Sequence, residues 1–206
     1  GSPRPAARTR AAAAAAAAGG AACRNSPRAA LPPRAEWADW LRSQGEDNRM
    51  SRRIAAVQRL ERQGAEVMLV TADTADLTAM TSALADARKR FGRIDGVMHT
   101  AGVAGDGVIQ LKERKTAAAV IDAKIKGALV LAAVLRDTPP DFTVHYSSIA
   151  AVVGGFGQVD YCGANSCLDV LARAASLAGG PAVISINWDA WAEIGMAVET
   201  VARPKA

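Results

Sequence analysis

From Pro33 onward, apolar residues fall into alternating long and short runs. In Ser51–Gly64, Ile54, Val57 and Leu60 recur at three-residue spacing behind a serine suited to a cap. A glycine closes the run, and the pattern predicts a helix. Glu66–Thr71 is a short, continuously apolar run, the form taken by a strand buried on both faces of a parallel sheet. The same reading gives helices at Ala35–Arg42, with Trp37 and Trp40 on one side, at Leu77–Phe91, at Lys112–Arg136, which must tolerate Gly127, and at Gln158–Ala178. Strands are predicted at Ile94–His99, Phe142–Tyr146 and Ala182–Asn187. Repeating strand–helix units of this length predict an α/β fold, a parallel sheet with helices on both faces that binds ligands at the strands' carboxyl ends.

Residues 1–34 break the pattern. They hold eight consecutive alanines and six arginines, no Asp or Glu, and no periodic apolar face. They are expected to be a disordered basic segment, followed by one domain over 35–206. The formal net charge of +5 resides in this segment, since 19 Lys and Arg face 20 Asp and Glu across 35–206. A near-neutral body offers no basic stripe for a nucleic-acid backbone. The best apolar run, 117–136, is interrupted by Asp122, Lys124 and Lys126 and falls short of a clean membrane span. Cys23, Cys162 and Cys167 make no Cys-x-x-Cys pair and only two histidines are present, which argues against a disulfide framework or zinc site. Reduced thiols in a cytoplasmic protein are expected.

One constellation carries chemistry. Ser148 follows a predicted strand, Tyr161 stands thirteen positions later at the start of a helix, and Asn165 lies one turn beyond. A hydroxyl and a phenol so placed suit carbonyl reduction, in which one group holds the oxygen and the other gives it a proton. A free tyrosine ionises near ~10, too high for ready proton exchange at neutral pH, and an ammonium nearby lowers that value. Lys124, in Asp122-Ala123-Lys124-Ile125-Lys126-Gly127, is the candidate cation. Each residue also has a plainer reading: Ser147-Ser148 as a turn or cap, Lys124 as a solvated face beside Lys126, Tyr161 as core. Their joint order and spacing favour the site, which requires the four side chains to converge at the sheet's mouth.

These residues, with Gly157-Gln158 and Ala164-Asn165 around the tyrosine, resemble the ketoreductase domains of modular polyketide synthases in the short-chain dehydrogenase/reductase superfamily. Most members of that superfamily place a lysine four residues after the tyrosine. The polyketide branch has asparagine there and the lysine on the preceding long helix, as here. Ala72-Asp73, the stretch Phe91–Val103 with His99-Thr100-Ala101-Gly102, and the loop Asn187–Ala197 extend the resemblance over roughly residues 28–197. Asp106 resembles the last aspartate of the Leu-Asp-Asp motif of ketoreductases that yield D-configured alcohols. Val153 stands where the opposite class has tryptophan. The resemblance implies a Rossmann-like fold with Tyr161, Ser148, Lys124 and Asn165 as the catalytic set. NADPH would be bound by Asp73, His99, Ala101, Gly102 and Lys124. The implied substrate is a β-ketoacyl thioester on an acyl carrier protein, and neighbouring polyketide synthase domains are the implied partners, with no nucleic acid or membrane.

One family feature is missing. Its members begin with a strand, a Thr-Gly-Gly-x-Gly-x-x-Gly loop, a helix and a second strand ending in an arginine for the NADP 2′-phosphate. Glycines and a helix N-terminus hold the pyrophosphate there. Here Gly19-Gly20 has no strand before it and no further loop glycine. Arg28 matches the phosphate-binding arginine or is one more arginine of a basic tail. The fold is therefore expected to be N-terminally incomplete, with residues 1–27 an off-frame or truncated version of the missing unit and NADPH binding weakened. A non-catalytic remnant and a stand-alone dehydrogenase of small carbonyls are the competing readings.

Overall fold

The computed structural model describes residues 13–16, 30–45, 48–103, 105 and 107–191. In chain order these form β1 (Ala13–Ala16), a 3₁₀ turn (Arg34–Glu36), α1 (Trp37–Gln44), α2 (Arg49–Arg62), β2 (Val67–Val70), α3 (Leu77–Phe91) and β3 (Gly96–His99). A second 3₁₀ turn (Ile109–Leu111) leads into α4 (Arg114–Ile121), a π-helical turn (Asp122–Lys126) and α5 (Gly127–Val134). Then come β4 (Phe142–Ser148), α6 (Ala150–Val153), α7 (Val159–Leu177) and β5 (Ala182–Trp188).

Every strand pairing is parallel, β1 with β2 and β4 between β3 and β5. The fold is the parallel sheet with helices that the periodicity predicts, of the Rossmann-like kind that the resemblance implies. Both faces of β2 are covered. Val67 and Leu69 pack with Trp37, Ile54 and Val57 of α1 and α2. Val70 joins Met80 of α3 and Val130 and Leu131 of α5. Alternation of side chains along a strand puts these two groups on opposite faces.

The sheet is in two pieces, because β2 and β3 share no ladder. Met98 in the middle of β3 is 62% exposed, an apolar side chain without a covering layer among the described residues.

Several elements differ from expectation. Within the segment expected to lack structure, the alanine tract supplies β1, and Leu31 packs on the α1–α2 core while the Trp37 indole donates to the Pro32 carbonyl at 2.8 Å. Ladder hydrogen bonds to β2, rather than an apolar face, hold the alanines. The α2 cap is Asn48, whose side chain accepts from the Met50 N–H at 2.8 Å, while Ser51 is buried inside the helix. The run predicted as one helix over Lys112–Arg136 is interrupted by the π turn and starts after Lys112. By contrast, α3 spans the predicted residues, with the Asp76 side chain accepting from Ala79 N–H at 3.0 Å and Gly92 (φ 85°) ending it. Arg28, Asp106 and Gly19-Gly20 lie outside the described residues.

Candidate active site

Lys124 owes its placement to the π turn. An extra residue in one helical turn rotates the residues after it, and such bulges recur at functional sites. Here Lys124 is 2% exposed while its neighbours Asp122 and Lys126 face solvent. Its Nζ donates to the Tyr146 carbonyl at 2.7 Å and lies 5.6 Å from the centre of the Tyr161 ring. The solvated-face reading is therefore wrong for Lys124 and right for Lys126. Burial in an apolar surrounding penalises the ammonium and lowers its pKa to about 8, with the Asp169 carboxylate pulling the other way.

Two histidines floor the site. His99, at the end of β3, is buried and its Nε2 sits 2.9 Å from the Lys124 carbonyl. That carbonyl only accepts, so Nε2 carries the proton. His145 of β4 meets the His99 ring edge-on at 6.0 Å, and its Nδ1 lies 3.4 Å from the Leu168 carbonyl. Burial depresses both pKa values, that of His99 to about 4.

Gly127 begins α5 where three elements meet. A β-carbon there would sit 2.9 Å from His99 Cε1 and 3.0 Å from Thr74 Oγ1. The carboxyl ends of β2 and β3 thus converge on the residue after the π turn. Gly127→Val is expected to destabilise the protein by about 2–3 kcal/mol through overpacking. Urea unfolding measures this, and an unchanged midpoint would contradict the packing.

Tyr161 is half-buried in the first turn of α7. Asn165, four residues on, is 0% exposed, and its Nδ2 donates to the Tyr161 carbonyl at 2.8 Å. Its Oδ1 is buried without a partner among the described residues. Asn165 holds the backbone of the tyrosine turn and keeps one acceptor open beside it.

The serine pair divides its work. Ser147 is buried and donates to the Asn165 carbonyl at 3.2 Å. Ser148, at the end of β4, accepts from the Ala150 N–H at 3.2 Å and so closes the turn that leads into α6. An N–H uses only a lone pair of a hydroxyl, so the Ser148 proton remains available to another oxygen. The turn and oxygen-holding readings are compatible.

Asp73 forms a turn after β2, its Oδ1 accepting from Ala75 N–H at 2.9 Å. Ala101 and Gly102 are half-buried after β3. Trp188, ending β5, packs against Tyr146 (ring centres 5.6 Å apart) and Trp191 (5.1 Å), and the rest of that loop from residue 192 lies outside the described residues.

Three contributors escape a reading of the sequence. Asp169 accepts from Ser185 Oγ at 2.5 Å and Asn187 Nδ2 at 2.9 Å, tying α7 to β5. It continues the series Tyr161, Asn165, Asp169 at helical spacing, a signal the sequence does contain. Lys112 and Asp160 form a buried ion pair at 2.7 Å beside the tyrosine. No group of three His, Cys, Asp or Glu side chains among the described residues is placed to hold a metal. A cavity of about 980 Å³ lies elsewhere, between α2, β2 and residues 30–34, and touches none of these groups.

A phenol, an ammonium and a serine hydroxyl stand at the carboxyl end of a parallel sheet, and fold and comparisons together place the chain in the short-chain dehydrogenase/reductase superfamily. A family model, the KR domain, matches residues 35–193. The 6-methylsalicylic acid synthase of Aspergillus terreus is 33% identical over 174 residues, 84% of this chain and 10% of that protein. The polyketide synthase GfsB of Streptomyces halstedii is 36% identical over 170 residues, 82% of this chain and 3% of that one. A solved ketoreductase from the macrolactin assembly line superposes with a TM-score of 0.65 at 31% identity, covering 72% of this chain and 30% of that one. The chain belongs to the KR domain family, the ketoreductases. It spans no more than about a tenth of these curated relatives' length.

Proposed function

We propose that the protein reduces the β-keto group of an acyl-carrier-protein-bound β-ketoacyl thioester to a β-hydroxyacyl thioester, using NADPH, within a polyketide synthase. The observation that carries this is the buried Lys124 ammonium 5.6 Å from the Tyr161 ring, in a chain of the KR family.

The polar groups left open suit a dinucleotide cofactor. Thr74 Oγ1 and Asn165 Oδ1 are buried without partners among the described residues, and Asp73 uses only one carboxylate oxygen in its turn. Asp73, His99, Ala101, Gly102 and Lys124 would line the cofactor, His99 through the Lys124 backbone it seats. Arg28 would meet the 2′-phosphate. No glycine-rich loop for the pyrophosphate occurs in the sequence, so NADPH should bind weakly unless another segment completes the site.

NADPH supplies the hydride. The Ser148 Oγ–H holds the substrate oxygen, and the Tyr161 hydroxyl gives its proton to that oxygen as negative charge develops there. The Lys124 ammonium stabilises the resulting phenolate. The open Asn165 Oδ1 accepts from a water that returns the proton.

The test is NADPH oxidation with a β-ketoacyl thioester surrogate beside small ketones. Turnover of the thioester in preference is expected. No turnover together with no NADPH binding would instead favour a structural remnant. Preference for small ketones would favour a stand-alone dehydrogenase.

A further inference from the structure

Lys112 precedes α4 by two residues, and Asp160 precedes the tyrosine by one. Their side chains are 5% and 3% exposed, with Nζ 2.7 Å from Oδ1. The same Nζ donates to the Gly157 carbonyl at 3.2 Å, and the same Oδ1 accepts the Tyr161 N–H at 2.9 Å. Gly105 and Gly107, after β3, border this junction. A β-carbon on Gly105 would lie 2.5 Å from Asp160 Oδ1 and 3.2 Å from Tyr161 Cβ. Gly157, at φ 71°, abuts the Gly107 backbone, 3.5 Å from where its own β-carbon would stand. Gly105 and Gly107, Lys112, and the stretch 157–161 therefore meet at one buried charge pair.

We propose that the Lys112–Asp160 pair is a positioning device that fixes the Tyr161 turn of α7 against the helix that carries Lys124. Lys112 leads through α4 into the π turn, and Asp160 holds the tyrosine backbone, so the pair links the two catalytic side chains from behind. Both groups reach the tyrosine turn through its backbone. Burying two charges is costly, and apolar replacements of such pairs are often neutral or stabilising. The pair's contribution is therefore to geometry, where a displacement of about 1 Å can cost ~10²-fold in rate. The carboxylate also lies in the first turn of α7, where the helix dipole favours a negative charge.

The inference rests on the reductase reading for its importance but not for its test. The chain has two tyrosines, so fluorotyrosine labelling in a Tyr146→Phe background leaves one ¹⁹F resonance, that of Tyr161. Adding Lys124→Met is expected to shift that resonance in the otherwise intact chain. In Lys112→Met or Asp160→Asn chains the same addition should shift it by less than half as much, and Lys112→Arg should restore the shift. With turnover measurable, Asp160→Asn is expected to lower kcat about 10–100-fold with KM within about two-fold. Equal shifts with and without the pair would overturn the proposal while leaving the reductase reading intact. Absence of turnover in the parent would affect only that reading, since the resonance reports position without cofactor. Should the single variants not fold, Lys112→Met/Asp160→Leu carries the comparison. If that apolar pair also fails to fold, the ion pair is structural and the proposal is wrong.

Discussion

Replacing Tyr161 by phenylalanine is expected to lower ketone reduction by ~10²–10⁴-fold, and Lys124→Met to do nearly the same, with the double variant hardly worse than either. In the proposed mechanism phenol and ammonium act as one unit, the second making the first a usable acid. Their effects on the fold should be opposite to what loss of function suggests for Lys124. Its pKa is about 8 when folded and 10.5 when free, so below about pH 8 the native state holds a buried charge at a cost. Stability from this group rises with pH between about 8 and 10.5, where the unfolded chain still binds a proton and the folded one does not. At pH 7 that gain is absent. Lys124→Met should therefore leave the protein at least as stable at pH 7, although the Tyr146 carbonyl loses its donor. Turnover in the parent should fall as pH rises through about 8. Paired urea melts and rate measurements check this. A Lys124→Met chain several kcal/mol weaker at pH 7 would show that the amine serves the fold and not the phenol.

Much of the site is legible because its spacing is local. Tyr161 and Asn165 share a helix face, and Ser148 ends a strand whose apolar pattern is plain. Periodicity also places α3 residue for residue. The rest depends on contacts between distant segments. Nothing in Asp122–Lys126 announces a π turn, since the turn shifts hydrogen bonds without needing a special residue; yet it decides that Lys124 faces inward and Lys126 outward. Lys112 is predicted as helical because its neighbours have helical periodicity, whereas the buried Asp160 draws it out of the helix. Alternation along β4 separates Ser147 from Ser148 but cannot say which points at the core until the packing of α7 is known. The tract Ala13–Ala16 has no apolar pattern of its own and becomes a strand through the β2 ladder.

Lowering the pH from 7 to 5 is expected to cost the protein about 2 kcal/mol of stability through His99 alone, with His145 adding in the same direction. The folded His99 has a pKa of about 4 against 6.5 when free. Between those values the unfolded chain binds a proton that the native state refuses, so stability is fully present above about 6.5 and drains away towards 4. Geometry gives the cause. Nε2–H is committed to the Lys124 carbonyl, so the incoming proton must enter at Nδ1, in a buried setting that already holds the Lys124 ammonium and the His145 ring. Urea midpoints at pH 7 and 5 measure the loss. His99→Gln, which keeps an N–H donor, should be less stable at pH 7 yet change less between the two pH values. An equally steep decline in His99→Gln would remove His99 as the origin. Charging the ring leaves the Nε2–H bond to the Lys124 carbonyl in place, so activity should fall only as the fold itself is lost.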